Sequence, residues 1–205
     1  GLGYGCGANH FFLMVCLMAR ANGIDLGDIW TQALAQESVD AYRSVNREIP
    51  AGWRGLDRAI SNAWTHPGQI SKFGTDGIIT IEYGKVTGPD GFALHYDHPH
   101  WDAEAQEYKY RYGRIWHKIY GASMMENIIQ FLARQIIRNV ALRLADRGYR
   151  FVLQAHDELV FIVPDNDVDN AKQIIHTEMI RRPSWALTLP LKADVNSGQS
   201  YGEAK

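Results

Sequence analysis

The chain has 205 residues, 46% of them hydrophobic and 21% charged, which suits an ordinary globular protein of one or two domains with a sizeable core. A formal charge of −2 excludes a uniformly basic protein while leaving room for a local basic face. No apolar run approaches the roughly 18–20 residues a bilayer crossing needs, and Leu13 to Ala19 has no basic lead-in of the kind a signal peptide carries, so no membrane partner is expected. The two cysteines, Cys6 and Cys16, form neither a CxxC pair nor a zinc spacing, which points to a reducing compartment, the cytoplasm.

From Asp28 to about Asn46 apolar residues recur at helical spacing through Ile29, Trp30, Ala33, Leu34, Val39, Tyr42 and Val45. Pro50 opens a second helical stretch, and Pro67-Gly68 closes it. The first seventy residues therefore read as mainly helical. Ile78 to Ile81 and Phe92 to Tyr96 then read as short strands around the turn signal Gly88-Pro89-Asp90-Gly91. The polar, aromatic-rich stretch from Asp97 to Gly113 reads as a surface loop.

The last third is the most legible. Met125, Ile128, Ile129, Leu132, Ile136, Val140 and Leu144 trace one amphipathic helix from about Ser123 to Asp146, which Gly148 stops. Phe151 to Leu153 and Leu159 to Val163 are β-rich runs flanking the polar Ala155-His156-Asp157-Glu158, the pattern of a tight hairpin. Asp165 to Arg182 is a further helix, capped near Asn166 or Asp167 and ended by Pro183. Leu191 to Val195 is a final short strand. Long helices against an antiparallel sheet define an α+β fold.

Chemistry concentrates on the hairpin. A carboxylate between two buried strands is rigidly held, and Mg²⁺ is satisfied by one or two carboxylates plus substrate phosphates, although turn polarity alone also explains Asp157 and Glu158. Between Arg114 and Arg150 seven Lys or Arg stand against only Glu126 and Asp146, a basic stretch suited to a phosphate backbone or to a solvated helix face. Gln130 and Gln154 are amides inside apolar stretches, each needing a partner if buried and each able to meet base edges in a minor groove. The histidines at 95, 98 and 100 match no structural zinc pattern.

Leu153-Gln154-Ala155-His156-Asp157-Glu158-Leu159-Val160, with its preceding helix and the Gly148-Tyr149 lead-in, resembles the palm hairpin of family A DNA polymerases, in particular phage-type members. Gly1-Leu2-Gly3-Tyr4-Gly5 is similar to the end of that family's fingers helix motif. Glu126 to Gln130 with Ala133-Arg134, and the closing Asp194-Val195-Asn196 and Ser200 to Lys205, also fall in the family's order. The resemblance covers nearly the whole chain and is weakest from Lys72 to Tyr112.

The resemblance implies a partial helical fingers region over 1–115, with a hairpin or loop insertion near 74–113. A palm over 116–205 would carry an antiparallel sheet packed on long helices. It implies template-directed nucleotidyl transfer by a two-metal mechanism using Mg²⁺, with Asp157 as one of two metal aspartates. His156 would lie beside the primer terminus and Glu158 would play a lesser acidic role. Gln130 and Gln154 would touch the minor groove of primer–template DNA, and Tyr4 the nascent pair with the incoming deoxynucleoside triphosphate. The second aspartate and the fingers lysine belong to motifs expected N-terminal to Gly1, so an N-terminal polymerase polypeptide is an expected partner and the isolated chain is expected to be inactive. The alternatives are a non-catalytic nucleic-acid-binding module on a polymerase-like palm, or a metal-dependent phosphohydrolase pairing His156 and Asp157 with His117 or His176.

Overall fold

The computed structural model describes residues 2–204, and these divide into two compact units at the 129/130 boundary. Gly1 and Lys205 of the motifs quoted above lie outside the described residues. Helices and antiparallel strands make up both units, so the fold is α+β.

The first unit begins with a helical hairpin, α1 (Ala8–Ala21) and α2 (Gln32–Val45). Trp30, between them, lies edge-on to Phe11 at 5.5 Å and donates its indole N–H to the carbonyl of Phe12 at 3.2 Å. The periodic stretch from Asp28 is interrupted: Gly27–Ile29 forms a 3₁₀ turn, and α2 starts only after Thr31, whose hydroxyl accepts from the Leu34 N–H at 3.2 Å. Helix α3 (Glu48–Thr65) starts two residues before Pro50 and buries Trp53, Leu56, Ala59, Ile60, Ala63 and Trp64. Pro50 is tolerated there because its missing N–H falls in the first turn, where no intrahelical partner exists.

A four-stranded antiparallel sheet follows, in the order β1 (Ser71–Phe73), β2 (Ile79–Glu82), β3 (Lys85–Thr87) and β4 (Ala93–His95). The two strands expected around Gly88 to Gly91 exist, but they do not pair with each other. β3, with Val86 fully buried, lies between them, and the turn joins β3 to β4. A three-residue strand with one apolar side chain is too short to show an alternating pattern.

The expected surface loop over 97–113 is instead the larger part of a second antiparallel sheet. It consists of β5 (Asp97–Asp102), β6 (Glu107–Tyr112) and β7 (Ile115–Ile119). Its alternation is Tyr against Lys and Arg rather than aliphatic against polar. Tyr108, Tyr110 and Ile119 share a face: Tyr108 packs edge-on against Trp64 at 6.1 Å, and its hydroxyl donates to Ser61 Oγ at 3.1 Å. Tyr96 joins the same cluster, 4.9 Å from the Tyr110 ring and 5.7 Å from Trp64. Aromatic area buried this way supplies the driving force that aliphatic residues supply elsewhere.

Helix α4 (Gly121–Asp146) starts where its backbone is received by α3. The Gly121 N–H donates to Asp57 Oδ1 at 2.5 Å, and Ser123 Oγ accepts from the Tyr120 N–H at 3.0 Å. Those contacts satisfy donors that a helix N-terminus leaves unpaired. At its other end, the Gly148 N–H donates to Ala145 and the Tyr149 N–H to Leu144, both at 2.9 Å, with Gly148 at φ 92. This reverse turn is the Schellman arrangement, which needs a residue comfortable in the left-handed region.

The second unit packs the hairpin β8 (Phe151–Ala155) and β9 (Glu158–Phe161) with α5 (Val168–Met179). Its core is Val140 and Leu144 of α4 with Ala171 and Ile175 of α5, covered by Tyr149, Leu159, Phe161, Val163 and Val195. Helix α5 is shorter than the expected 165–182. Asp165–Asp167 is a 3₁₀ turn, and the helix ends at Met179, before Pro183 is reached. Asp167 occupies the N-cap position but makes no capping bond; its carboxylate accepts from Tyr149 Oη and Asn170 Nδ2, each at 2.8 Å. The expected strand over Leu191 to Val195 does not form. That segment has no regular secondary structure, and Val195 packs on the helical core in place of strand pairing.

Candidate active site

The hairpin that carries His156 and Asp157 is held from below by apolar packing. Leu159, Phe161 and Val163 lie on the α4–α5 core, and the alternation of a strand turns Glu158 and Val160 to the opposite face. Cross-strand pairing runs Ala155↔Glu158, Gln154↔Leu159, Leu153↔Val160 and Phe151↔Phe161. The register shifts between Phe151 and Leu153, and this irregularity carries Val152. A two-residue turn, His156-Asp157, closes the hairpin.

His156 has φ 52, in the left-handed region, where an L-residue costs about 1–2 kcal/mol relative to its ordinary conformations. Among non-glycine residues, histidine is one of those found there more often than average. Asp157 is exposed, and no hydrogen bond or ion pair among the described residues engages its carboxylate. Glu158 is half-buried at the first position of β9. The turn thus presents two adjacent carboxylates and an imidazole on one rigid support, with Asp157 open to solvent.

The other expected site residues distribute as follows. Gln154 is on β8, three residues before Asp157, and is exposed; Gln130 is on α4 and is also exposed. The buried amide is a different one. Gln135 of α4 is only 3% exposed, and neither end of its amide finds a hydrogen-bond partner among the described residues. It escaped sequence reading because it stands among helix-forming residues with nothing to separate it from a surface glutamine. Tyr4 ends a 3₁₀ turn over Leu2–Tyr4 in the first unit and is half-buried. Among the described residues, no group of three or more His, Cys, Asp or Glu side chains gathers where it could hold a metal ion. His95, His98 and His100 are exposed, and His100 packs edge-on against Trp116 at 4.7 Å.

The donor chemistry at the turn fits one share of a Mg²⁺ site. Mg²⁺ takes hard oxygen ligands, keeps several waters and commonly uses only one or two carboxylates of the protein. Asp157 offers such oxygens with no competing cation beside them.

Residues 123–203 match the family model of DNA polymerase family A, and that segment contains most of α4, the hairpin and α5. The chain is similar to the DNA polymerase of Bacillus phage SP02, 30% identical over 172 residues that span 77% of this chain and 26% of the phage protein. It is also similar to DNA polymerase I of Rhizobium leguminosarum, 34% identical over 87 residues that span 37% of this chain and 8% of that protein. The chain therefore spans about a quarter of the phage relative's length and under a tenth of the bacterial one's. No solved structure matches it at a significant level. The helix–hairpin–helix segment over residues 123–203 thus belongs to DNA polymerase family A, and both relatives are named as DNA polymerases.

Proposed function

We propose that this chain is the C-terminal fingers–palm part of a DNA-directed DNA polymerase, with fingers residues over 1–115 and palm residues over 116–205. In this reading Asp157 supplies one of the two aspartates that hold a catalytic Mg²⁺ pair. The observation that carries it is the state of Asp157, an exposed and unpartnered carboxylate on a two-residue turn inside the family-matched segment. When bound, the metal pair activates the primer 3′ oxygen and offsets the charge developing on the transferred phosphate.

The residues of the chain serve that reaction by position. Asp157 and Glu158 contribute negative charge at the tip of a support whose other face is anchored on Leu144 and Ile175. His156 stands beside Asp157, where a ring N–H donates to the primer terminus. Gln130 and Gln154 donate amide protons to minor-groove acceptors, which are present at every base pair and therefore sense pair geometry more than sequence. Tyr4 stacks next to the nascent pair.

Two cations a few ångströms apart repel strongly unless several anions lie between them. Asp157 and Glu158 alone do not supply that number. The second aspartate and a phosphate-gripping lysine come from an N-terminal polypeptide, and residues 1–205 alone do not polymerise. Support for such a partner comes from the outer face of the hairpin. Leu153, cross-strand from Val160 on the face away from the core, is 46% exposed, an apolar surface left open for a further layer to cover.

The test is primer extension on mismatched and matched primer ends by the chain joined to its N-terminal complement. Gln130→Ala and Gln154→Ala should each weaken matched-end extension by about two- to tenfold, the cost of one hydrogen bond, with melting temperature unchanged. Variants that extend as well as the parent would remove the minor-groove role.

A further inference from the structure

The β5–β7 sheet lies outside the family-matched segment, and one of its faces is packed while the other is open. Tyr108, Tyr110 and Ile119 face the α3 helix through Trp64 and Ser61. Strand alternation places Lys109, Arg111, Trp116 and Lys118 on the opposite face, together with His100 and Asp102 of β5.

That open face is polarised. At one end, Lys109 pairs with Asp102 at 2.7 Å and Glu107 at 3.5 Å, and Lys118 pairs with Glu107 at 2.7 Å, so the charges cancel locally. At the other end, near the Gly113-Arg114 turn, Arg111 and Arg114 make no ion pair among the described residues. Asp97 is the acid opposite Arg111, and it forms no salt bridge with it. Arg111 stands directly across from Trp116, a residue 49% exposed whose ring packs edge-to-face with His100 at 4.7 Å. Ile115, beside the turn, is 64% exposed. A half-open indole with a free guanidinium directly across the ladder, and a second guanidinium at the turn, has the two elements that bind unpaired nucleic acid. These are a flat aromatic surface for a base and cations for the flanking phosphates. A duplex hides its base faces in the stack and leaves an exposed indole no face to stack on.

We propose that the β6–β7 end of this sheet binds an unpaired DNA strand, with Trp116 stacking on a base and Arg111 and Arg114 meeting the adjoining phosphates. The choice of DNA over RNA rests on the polymerase reading above; the stacking and phosphate contacts do not.

The test is fluorescence anisotropy of a labelled oligothymidylate of about twenty nucleotides titrated with the full chain. The same measurement is made on a blunt DNA duplex and on oligouridylate. Trp116→Ala should weaken single-strand binding about tenfold, and Trp116→Phe should retain most of it. Arg111→Ser with Arg114→Ser should lower the slope of log affinity against log salt by about 0.7 per arginine, a change that a merely structural role would not produce. Far-ultraviolet circular dichroism of each variant confirms the fold. Absence of single-strand binding, an equal loss of duplex binding in Trp116→Ala, or substitutions without effect would overturn the proposal. Tighter binding of oligouridylate would overturn the choice of DNA. A chain that binds no single strand but supports Asp157-dependent extension with its complement would refute this sheet's role and leave the polymerase reading intact.

Discussion

Arg143 of α4 donates its Nε–H to Glu178 Oε2 of α5 at 2.6 Å, and its Nη2–H to the Glu178 carbonyl at 3.0 Å, tying together the two helices beneath the hairpin. Glu178 is 2% exposed and also meets Arg147 at 2.8 Å and Arg181 at 3.6 Å. Burial works to raise its pKa, but the Arg143 hydrogen bond and the charges of Arg143, Arg147 and Arg181 outweigh it and hold the carboxyl below the ordinary glutamate value.

Glu178→Gln should destabilise the second unit by roughly 2–4 kcal/mol, because a buried set of arginine contacts loses its anion while two of the three arginines keep access to water. A depressed carboxylate pKa adds stability that is present above the unfolded value, about 4.3, and is lost as pH falls through the lower folded value. Urea unfolding of the parent should therefore show stability falling below about pH 4, and Glu178→Gln should flatten that acid limb. An unchanged acid limb in the variant would show that other carboxylates set it.

Tyr96 provides the alkaline counterpart in the first unit. Desolvation by burial raises its phenol pKa to about 12, and the nearby Tyr110 adds to the shift, against a lowering by the Asn127 hydrogen bond of 3.0 Å. A raised pKa gives stability that is complete below the ordinary tyrosine value, about 10, and is lost as pH rises through about 12. Ultraviolet titration should find a phenol step near pH 12, and Tyr96→Phe should remove it.

Two glycines at opposite ends of α4 should respond to alanine for different reasons. At Gly148 an added Cβ meets nothing within 4 Å, so the cost is the φ of 92 alone, about 1 kcal/mol. At Gly121 an added Cβ would collide with the Trp53 carbonyl oxygen, and the helix would have to move away from α3. Thermal melts should show a small loss for Gly148→Ala and a larger one for Gly121→Ala. Equal losses would mean that α4 approaches α3 less closely than described.

The legible parts of this chain were those where one physical signal acted alone. Helix α4 shows an uninterrupted helical period and a glycine at its end, and β8–β9 shows apolar runs on either side of polar turn residues. The β5–β7 sheet was hidden because Tyr108 and Tyr110 bury aromatic area while their neighbours Lys109 and Arg111 keep the segment polar on average. Pro99 and His98, the latter at φ 49, add a bulge that breaks the alternation of β5. The segment at 191–195 has the alternation of a strand, but Val195 is instead packed on the helical core and the segment forms no regular strand. At the site, the position of Asp157 followed from local pattern, whereas the roles given to Gln130, Gln154 and Tyr4 came from family resemblance. The buried Gln135 had no local signal at all.

The most direct measurement is primer extension by residues 1–205, alone and combined with a polypeptide carrying the second metal aspartate and the fingers lysine, with and without Asp157→Ala. Asp157 is exposed and unpartnered, so its substitution should leave the melting temperature of the chain within about 0.5 kcal/mol equivalent of the parent. The chain alone should incorporate no nucleotide with Mg²⁺ or Mn²⁺, the combination should extend the primer, and Asp157→Ala should abolish that extension. Robust extension by residues 1–205 alone, or extension by the combination that survives Asp157→Ala, would contradict the assignment of Asp157 to a shared two-metal site.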